Sequence, residues 1–205
     1  AIALTIVFGF LTITFPLFAA SREKVLYSFN DNGSDGYWPY ANLISDAAGN
    51  LYGTTEAGGS NSGGIVFELT PGAGGTWTET VLYNFGSYDG DGGAPRAGLI
   101  FDADGNLYGT TYGGGGNPAA GTVFELTPSV GGGWTEQVLH SFNYTDGAGP
   151  QASLIFDAVG NLYGTTYGGG ALNGGTVFEL APGAGGTWTE SVLYSFAGYP
   201  QGSVI

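Results

Sequence analysis

Three copies of one heptapeptide set the period of this chain and restrict what it can fold into. Gly49-Asn-Leu-Tyr-Gly-Thr-Thr55 returns at Gly105–Thr111 and Gly160–Thr166, so successive copies start 56 and 55 residues apart. The flanks repeat in step. Val66-Phe-Glu-Leu69 returns at Val123–Leu126 and Val177–Leu180, and Val25-Leu-Tyr-Ser-Phe29 at Val81–Phe85, Val138–Phe142 and Val192–Phe196. A fixed period of this length means that one supersecondary unit is repeated and that each copy needs its neighbours to bury its apolar face. It also sorts the residues: a side chain shared by all copies belongs to the architecture, and one present in a single copy is a candidate for function.

The second copy shows what the unit is. Leu99-Ile-Phe-Asp102 is short, apolar and rich in strand formers, Ala103-Asp-Gly-Asn106 is turn chemistry, and Leu107-Tyr-Gly-Thr-Thr111 resumes a strand, which together predict a β-hairpin. A Gly-rich loop leads to a third strand at Thr122–Leu126, Pro128 to Gly133 turn the chain, and Trp134 to Phe142 form a fourth. No segment of the repeat shows helical spacing. Four short strands per period predict an all-β fold, a β-propeller of four-stranded antiparallel blades, because the coils of a parallel β-helix are much shorter. Blades are expected at about 39–85, 95–142 and 150–196, with an additional strand at 25–29 and the start of a fourth unit at 200–205. Three whole blades make an incomplete ring, so the chain reads as part of a longer protein with both flanking faces uncovered.

Residues 1–21 carry no charge and are apolar apart from Thr5, Thr12, Thr14 and Ser21. Pro16 and the small residues Ala19, Ala20 and Ser21 fit the end of a secretory signal peptide, with a retained N-terminal anchor as the alternative. Either places the array from residue 22 to 205 outside the cytoplasm, secreted or at the cell surface. Cysteine is absent, so disulfides add nothing to stability. Three Lys and Arg against seventeen Asp and Glu exclude nucleic acid and anionic membrane surfaces as partners, since both require a basic patch. Membrane contact is left to the N-terminal segment alone. The 41 glycines would suggest disorder if they were aperiodic, but here they fall at the turns between apolar strands.

The recurring Gly-Asn-Leu-Tyr-Gly-Thr-Thr, Gly-Thr-Val-Phe-Glu-Leu and Val-Leu-Tyr-Ser-Phe segments resemble the GloVer tandem repeat of exported bacterial choice-of-anchor proteins. The resemblance runs from Val25 to Ile205 and implies an exported, often surface-anchored repeat protein. It brings no established reaction and no catalytic residues.

Most candidate chemistry falls inside the repeated pattern. Asp46, Asp102 and Asp157 precede the hairpin turn, Glu68, Glu125 and Glu179 lie on the third strand, and Glu79, Glu136 and Glu190 follow the Trp of the fourth. Turn capping and solvent-facing strand positions account for all nine. Asp102-Ala-Asp104-Gly-Asn106 resembles the start of a calcium loop, but the other copies lack the central carboxylate and no bidentate Glu follows, so a plain turn is the simpler reading. Asp89 and Asp91, with Asp31, Asp35 and Asp146 in the other copies, form acidic linkers that are better cation candidates. Calcium is the one ion expected, and no cofactor is required. His140 stands where Tyr27, Tyr83 and Tyr194 stand and reads as a one-off replacement. There is no thiol nucleophile and no Gly-x-Ser-x-Gly elbow.

The long connections are the informative part. In an up-and-down blade, the loop between strands two and three lies on the same face as the linker into the next blade. That face gathers Tyr37, Trp38, Tyr88, Tyr112, Tyr144 and Tyr167, together with Glu56, which replaces the Tyr of the other two copies. Aromatic rings among amides and carboxylates suit stacking on neutral sugars, and also suit a protein partner. The expected function is therefore a non-enzymatic extracellular binding module for polysaccharide or a surface protein. A propeller-based glycan hydrolase or lyase is one alternative, since it needs only two carboxylates. An architectural surface protein or adhesin without a specific ligand is the other.

Overall fold

The computed structural model describes residues 23–30 and 32–198; the N-terminal apolar run, Asp31 and the start of the fourth unit lie outside the described residues. Three antiparallel sheets follow one another along the chain, each with its strands paired in sequence order. The first blade is Ile44–Ser45, Leu51–Thr55, Ile65–Pro71 and Trp77–Asn84. The second is Ile100–Phe101, Leu107–Thr111, Thr122–Pro128 and Trp134–Ser141, and the third is Ile155–Phe156, Leu162–Gly168, Asn173–Pro182 and Trp188–Ala197. These are the four-stranded blades of a propeller, arranged as an incomplete ring. Val25–Phe29 forms no ladder with any described residue. Its Phe29 nonetheless packs edge-on against Phe67, at 4.9 Å between ring centres, as the last strand of a preceding blade would.

Local chemistry explains the hairpin that opens each blade. Asp102 Oδ1 accepts the backbone N–H groups of Asp104 and Asn106, both at 2.9 Å, while Oδ2 accepts Asn106 Nδ2 at 2.8 Å and the Tyr108 hydroxyl at 3.2 Å. Asp46 and Asp157 make the same four bonds in their copies. Gly105 sits in this turn at φ +87°, where a side chain is disfavoured. The glycine of Leu-Tyr-Gly-Thr-Thr has a different purpose, because its backbone lies flat against the Phe of the third strand. A Cβ at Gly109 would stand 2.6 Å from Phe124 Cζ, and one at Gly164 2.5 Å from Phe178 Cζ.

The core sits between blades. Phe85 of the first blade meets Phe124 of the second edge-on at 5.0 Å, and Phe142 of the second meets Phe178 of the third at 5.1 Å. Tyr52 receives Phe101 of the next blade and Tyr108 receives Phe156, again edge-on. Edge-to-face pairs of this kind add about 0.5–1.5 kcal/mol beyond the area they bury. The interblade position explains why the unit cannot stand alone. Leu139 and Phe142 are buried against the third blade, whereas their counterparts Leu193 and Phe196 are exposed on the far flank of that blade.

The long loops are more ordered than the Gly-rich sequence predicts. Gly36–Tyr37 in the linker pairs antiparallel with Ala57–Gly58 in the loop after the second strand, and Gly92–Gly93 pairs likewise with Gly113–Gly114. In the third unit Ala148–Pro150 pairs directly with the lengthened second strand, through Gly168 and Thr166. Each linker is therefore tied to the segment that follows the second strand, with Tyr37 on the first of these ribbons and Tyr167 in the strand that forms the third.

Candidate functional site

The residues that open each blade converge. A Cβ at Gly98 would lie 2.5 Å from Asn42 Oδ1 of the first blade and 2.9 Å from Ser153 Oγ of the third. These three positions are equivalent in the repeat, so the first strands face a common axis. Above them Tyr40, Arg96 and Gln151, the residues after Pro39, Pro95 and Pro150, line one pocket with Glu56. The axial pocket has a volume of about 340 Å³. It is built from departures from the repeat. Glu56 stands where the other copies have Tyr112 and Tyr167, and Arg96 stands where they have Tyr40 and Gln151.

The two departures pair with each other. Glu56 Oε1 accepts Arg96 Nε at 2.9 Å and Nη2 at 2.5 Å. The guanidinium also lies over the Tyr112 ring, 3.9 Å from its centre, which adds a cation–π contact. Arg96 is thus clamped between two blades, and the charge of Glu56 is balanced where it is mostly covered.

Tyr112, Tyr144 and Tyr167 line a second cleft, of about 300 Å³, between the second and third blades. Its remaining walls are Gly113, Ala119, Ala120, Ala148, Gly149, Gly168 and Gly169, so small residues leave Tyr144 and Tyr167 accessible, and among the described residues no charged side chain lines the cleft. Tyr144 and Tyr167 are 53% and 75% exposed. Tyr37 and Trp38 form a separate aromatic pair on the first blade, edge-on at 5.0 Å. Trp38 holds an exposed indole at φ +65°, a conformation that the equivalent Gly149 (φ +61°) adopts without penalty. Tyr88 is drawn away instead, its hydroxyl donating to Glu136 Oε2 at 2.7 Å.

The acidic candidates separate. Asp102 spends both oxygens on its turn, and Asp104 is exposed and gives that turn only its N–H. Asp89 is exposed, whereas Asp91 is 4% exposed. Asp91 Oδ2 accepts the Ser87 N–H at 2.7 Å, the Ser87 hydroxyl at 3.0 Å and the Tyr83 hydroxyl at 3.2 Å, which ties the linker to the preceding strand. Asp35 and Asp146 hold their linkers in the same way.

The Glu of each Trp-Thr-Glu differs from its expected solvent-facing role. Glu79, Glu136 and Glu190 are partly buried at blade boundaries, and the linker aspartates Asp35, Asp91 and Asp146 stand close enough to act on their charge. Burial, reinforced by those aspartates, pushes all three carboxyls up to about 7. One oxygen of each is enclosed without a hydrogen-bond partner. Strand alternation assigns this Glu to a face but does not reveal that the neighbouring linker covers it. His140 lies at the third of these boundaries, and burial, which outweighs the attraction of Asp146, holds its imidazole below the usual range.

Sequence comparison places this geometry in context. The family model described as the Gloeobacter/Verrucomicrobia repeat matches residues 13–205. No curated protein matches the chain.

Proposed function

This chain belongs to the Gloeobacter/Verrucomicrobia repeat family, and from that premise we propose that it is an exported, non-enzymatic binding module that takes neutral polysaccharide on the loop face of its propeller. The observation that carries this reading is the convergence of Tyr112, Tyr144 and Tyr167 on one open cleft without charged walls. The C–H faces of a sugar ring stack on such phenols, and tyrosine gives a rigid surface at low entropic cost. A net charge of −14 disfavours anionic glycans, which leaves neutral ones. Export is read from the apolar run at 1–21, and a surface protein is the other ligand of compatible chemistry.

A glycosidase would need two carboxylates flanking one bond, about 5–10 Å apart. Among the described residues the axial pocket has a single lining carboxylate, Glu56, and it is committed to Arg96. That favours binding over hydrolysis.

The test is affinity electrophoresis and a glycan array with the full chain and with Tyr144→Ala and Tyr167→Ala. Each substitution removes a stacking contact worth about 1 kcal/mol, so binding should weaken about fivefold or more. Absence of any glycan binding by the unsubstituted chain refutes the proposal and favours a protein ligand or an architectural role.

A further inference from the structure

We propose that His140, Asp146 and Glu190 form a binding site for a single first-row divalent cation of the zinc class, at the boundary between the second and third blades. The three ligands come from three separate elements: the last strand of the second blade, the linker, and the last strand of the third blade. One ligand atom from each lies within 4.8 Å of the other two. Zn–N and Zn–O bonds of about 2.0–2.2 Å place tetrahedral ligand atoms about 3.4 Å apart. His140 Nε2 and Asp146 Oδ2 are already 3.2 Å apart, and a modest inward movement of Glu190 completes the set.

Glu190 Oε1 is enclosed and accepts no hydrogen bond, a lack that Glu79 Oε1 and Glu136 Oε1 share at the other two boundaries, so it is the imidazole beside it that sets this site apart. A buried acceptor left unpaired is costly, and a cation bound beside it removes that cost. The surrounding residues hold the other two ligands in place. Asp146 is oriented by Asn143, whose N–H bonds Oδ1 at 3.0 Å and whose Nδ2 bonds Oδ2 at 3.0 Å. The His140 ring is fixed edge-on against Phe142, 4.8 Å between centres. Support of this kind keeps metal ligands in register.

The repeat supplies internal controls. At the two earlier boundaries the same carboxylates recur as Asp35 with Glu79 and Asp91 with Glu136, but the histidine position holds Tyr27 and Tyr83. A neutral phenol is a poor ligand, and both hydroxyls already donate to the linker aspartate. Only the third boundary has the imidazole that zinc-class ions favour over calcium. A bound ion there would cross-link two blades.

The full chain, freed of metal with EDTA, is titrated with Zn2+ by calorimetry and with Co2+ by visible absorption, alongside His140→Tyr and Glu190→Gln. His140→Tyr installs the residue that the other copies carry, so it should fold. The expected result is one site per chain, visible d–d bands with Co2+, and affinity reduced by about tenfold or more in both variants. A melting temperature raised by Zn2+ in the parent but not in His140→Tyr would agree. The absence of a one-to-one site, or equal affinity in the parent and His140→Tyr, overturns the proposal.

Discussion

Replacing Glu136 by glutamine should stabilise the protein above neutrality and do nothing in mild acid. Glu136 is held up to about 7 from an ordinary 4.5, mainly by burial; the Tyr88 hydrogen bond opposes the rise and Asp91 adds to it. The gap between 4.5 and 7 is worth about 3 kcal/mol at full strength. The side chain is only partly buried, so solvent screening reduces this to about 1–2 kcal/mol. Because the folded-state value is the higher one, the favourable contribution is complete below about pH 4.5 and is lost as the pH rises through about 7. Above that, the wild-type chain holds a carboxylate beside Asp91 in a partly desolvated place.

Glutamine keeps the shape and an acceptor for Tyr88 and carries no charge. The assay is urea unfolding followed by Trp fluorescence at about pH 4, below the ordinary carboxyl range, and about pH 8. Glu136→Gln should gain about 1–2 kcal/mol over the parent at the higher pH, equivalent to roughly 3–6 °C in melting temperature. At the lower pH the two should coincide. A variant less stable than the parent at about pH 8, or an advantage of equal size at both pH values, would refute the reasoning.

Two further outcomes follow from packing and from the axial pair. Gly109→Ala pushes a methyl group into Phe124 and Leu99 and should cost about 1–3 kcal/mol in thermal unfolding; a loss below about 0.5 kcal/mol would mean that the Gly–Phe contact is not what fixes this glycine. Arg96→Ala leaves the mostly covered Glu56 unpaired and should cost about 1–3 kcal/mol. The double variant Glu56→Tyr with Arg96→Gln restores residues that other copies use and should recover most of that loss in a double-mutant cycle.

How far each feature was legible in the sequence depends on whether its cause is local. The hairpin turn was legible because Asp, Gly and Asn satisfy each other within five residues, as Asp102 to Asn106 do. The blade was legible because periodicity is a global constraint that no single residue has to carry. The ribbons tying linkers to loops were not, since Gly92–Gly93 and Gly113–Gly114 offer no alternation and only a two-residue ladder. Burial of Glu79, Glu136 and Glu190 was hidden for another reason: a period-two pattern says which face a side chain takes but not what lies opposite. Tyr88 and Tyr144 look interchangeable in their loops, yet one bonds Glu136 and the other lines the cleft.

The axial pocket shows what a repeat adds to such an argument. Glu56 stands out as a departure from its column, while Tyr40, Arg96 and Gln151 do not, because their column after the proline changes in every copy and so marks no exception. Glu56 and Arg96 are 40 residues apart and belong to different columns. In a propeller, a column encodes height and distance from the axis, and the copy number encodes the angle around it. Two columns that end on the same face near the axis therefore become neighbours across a blade boundary. A carboxylate appearing in one and a guanidinium in the other, in adjacent copies, is then a prediction of contact. Paired departures from the repeat locate the pocket more sharply than any single residue could.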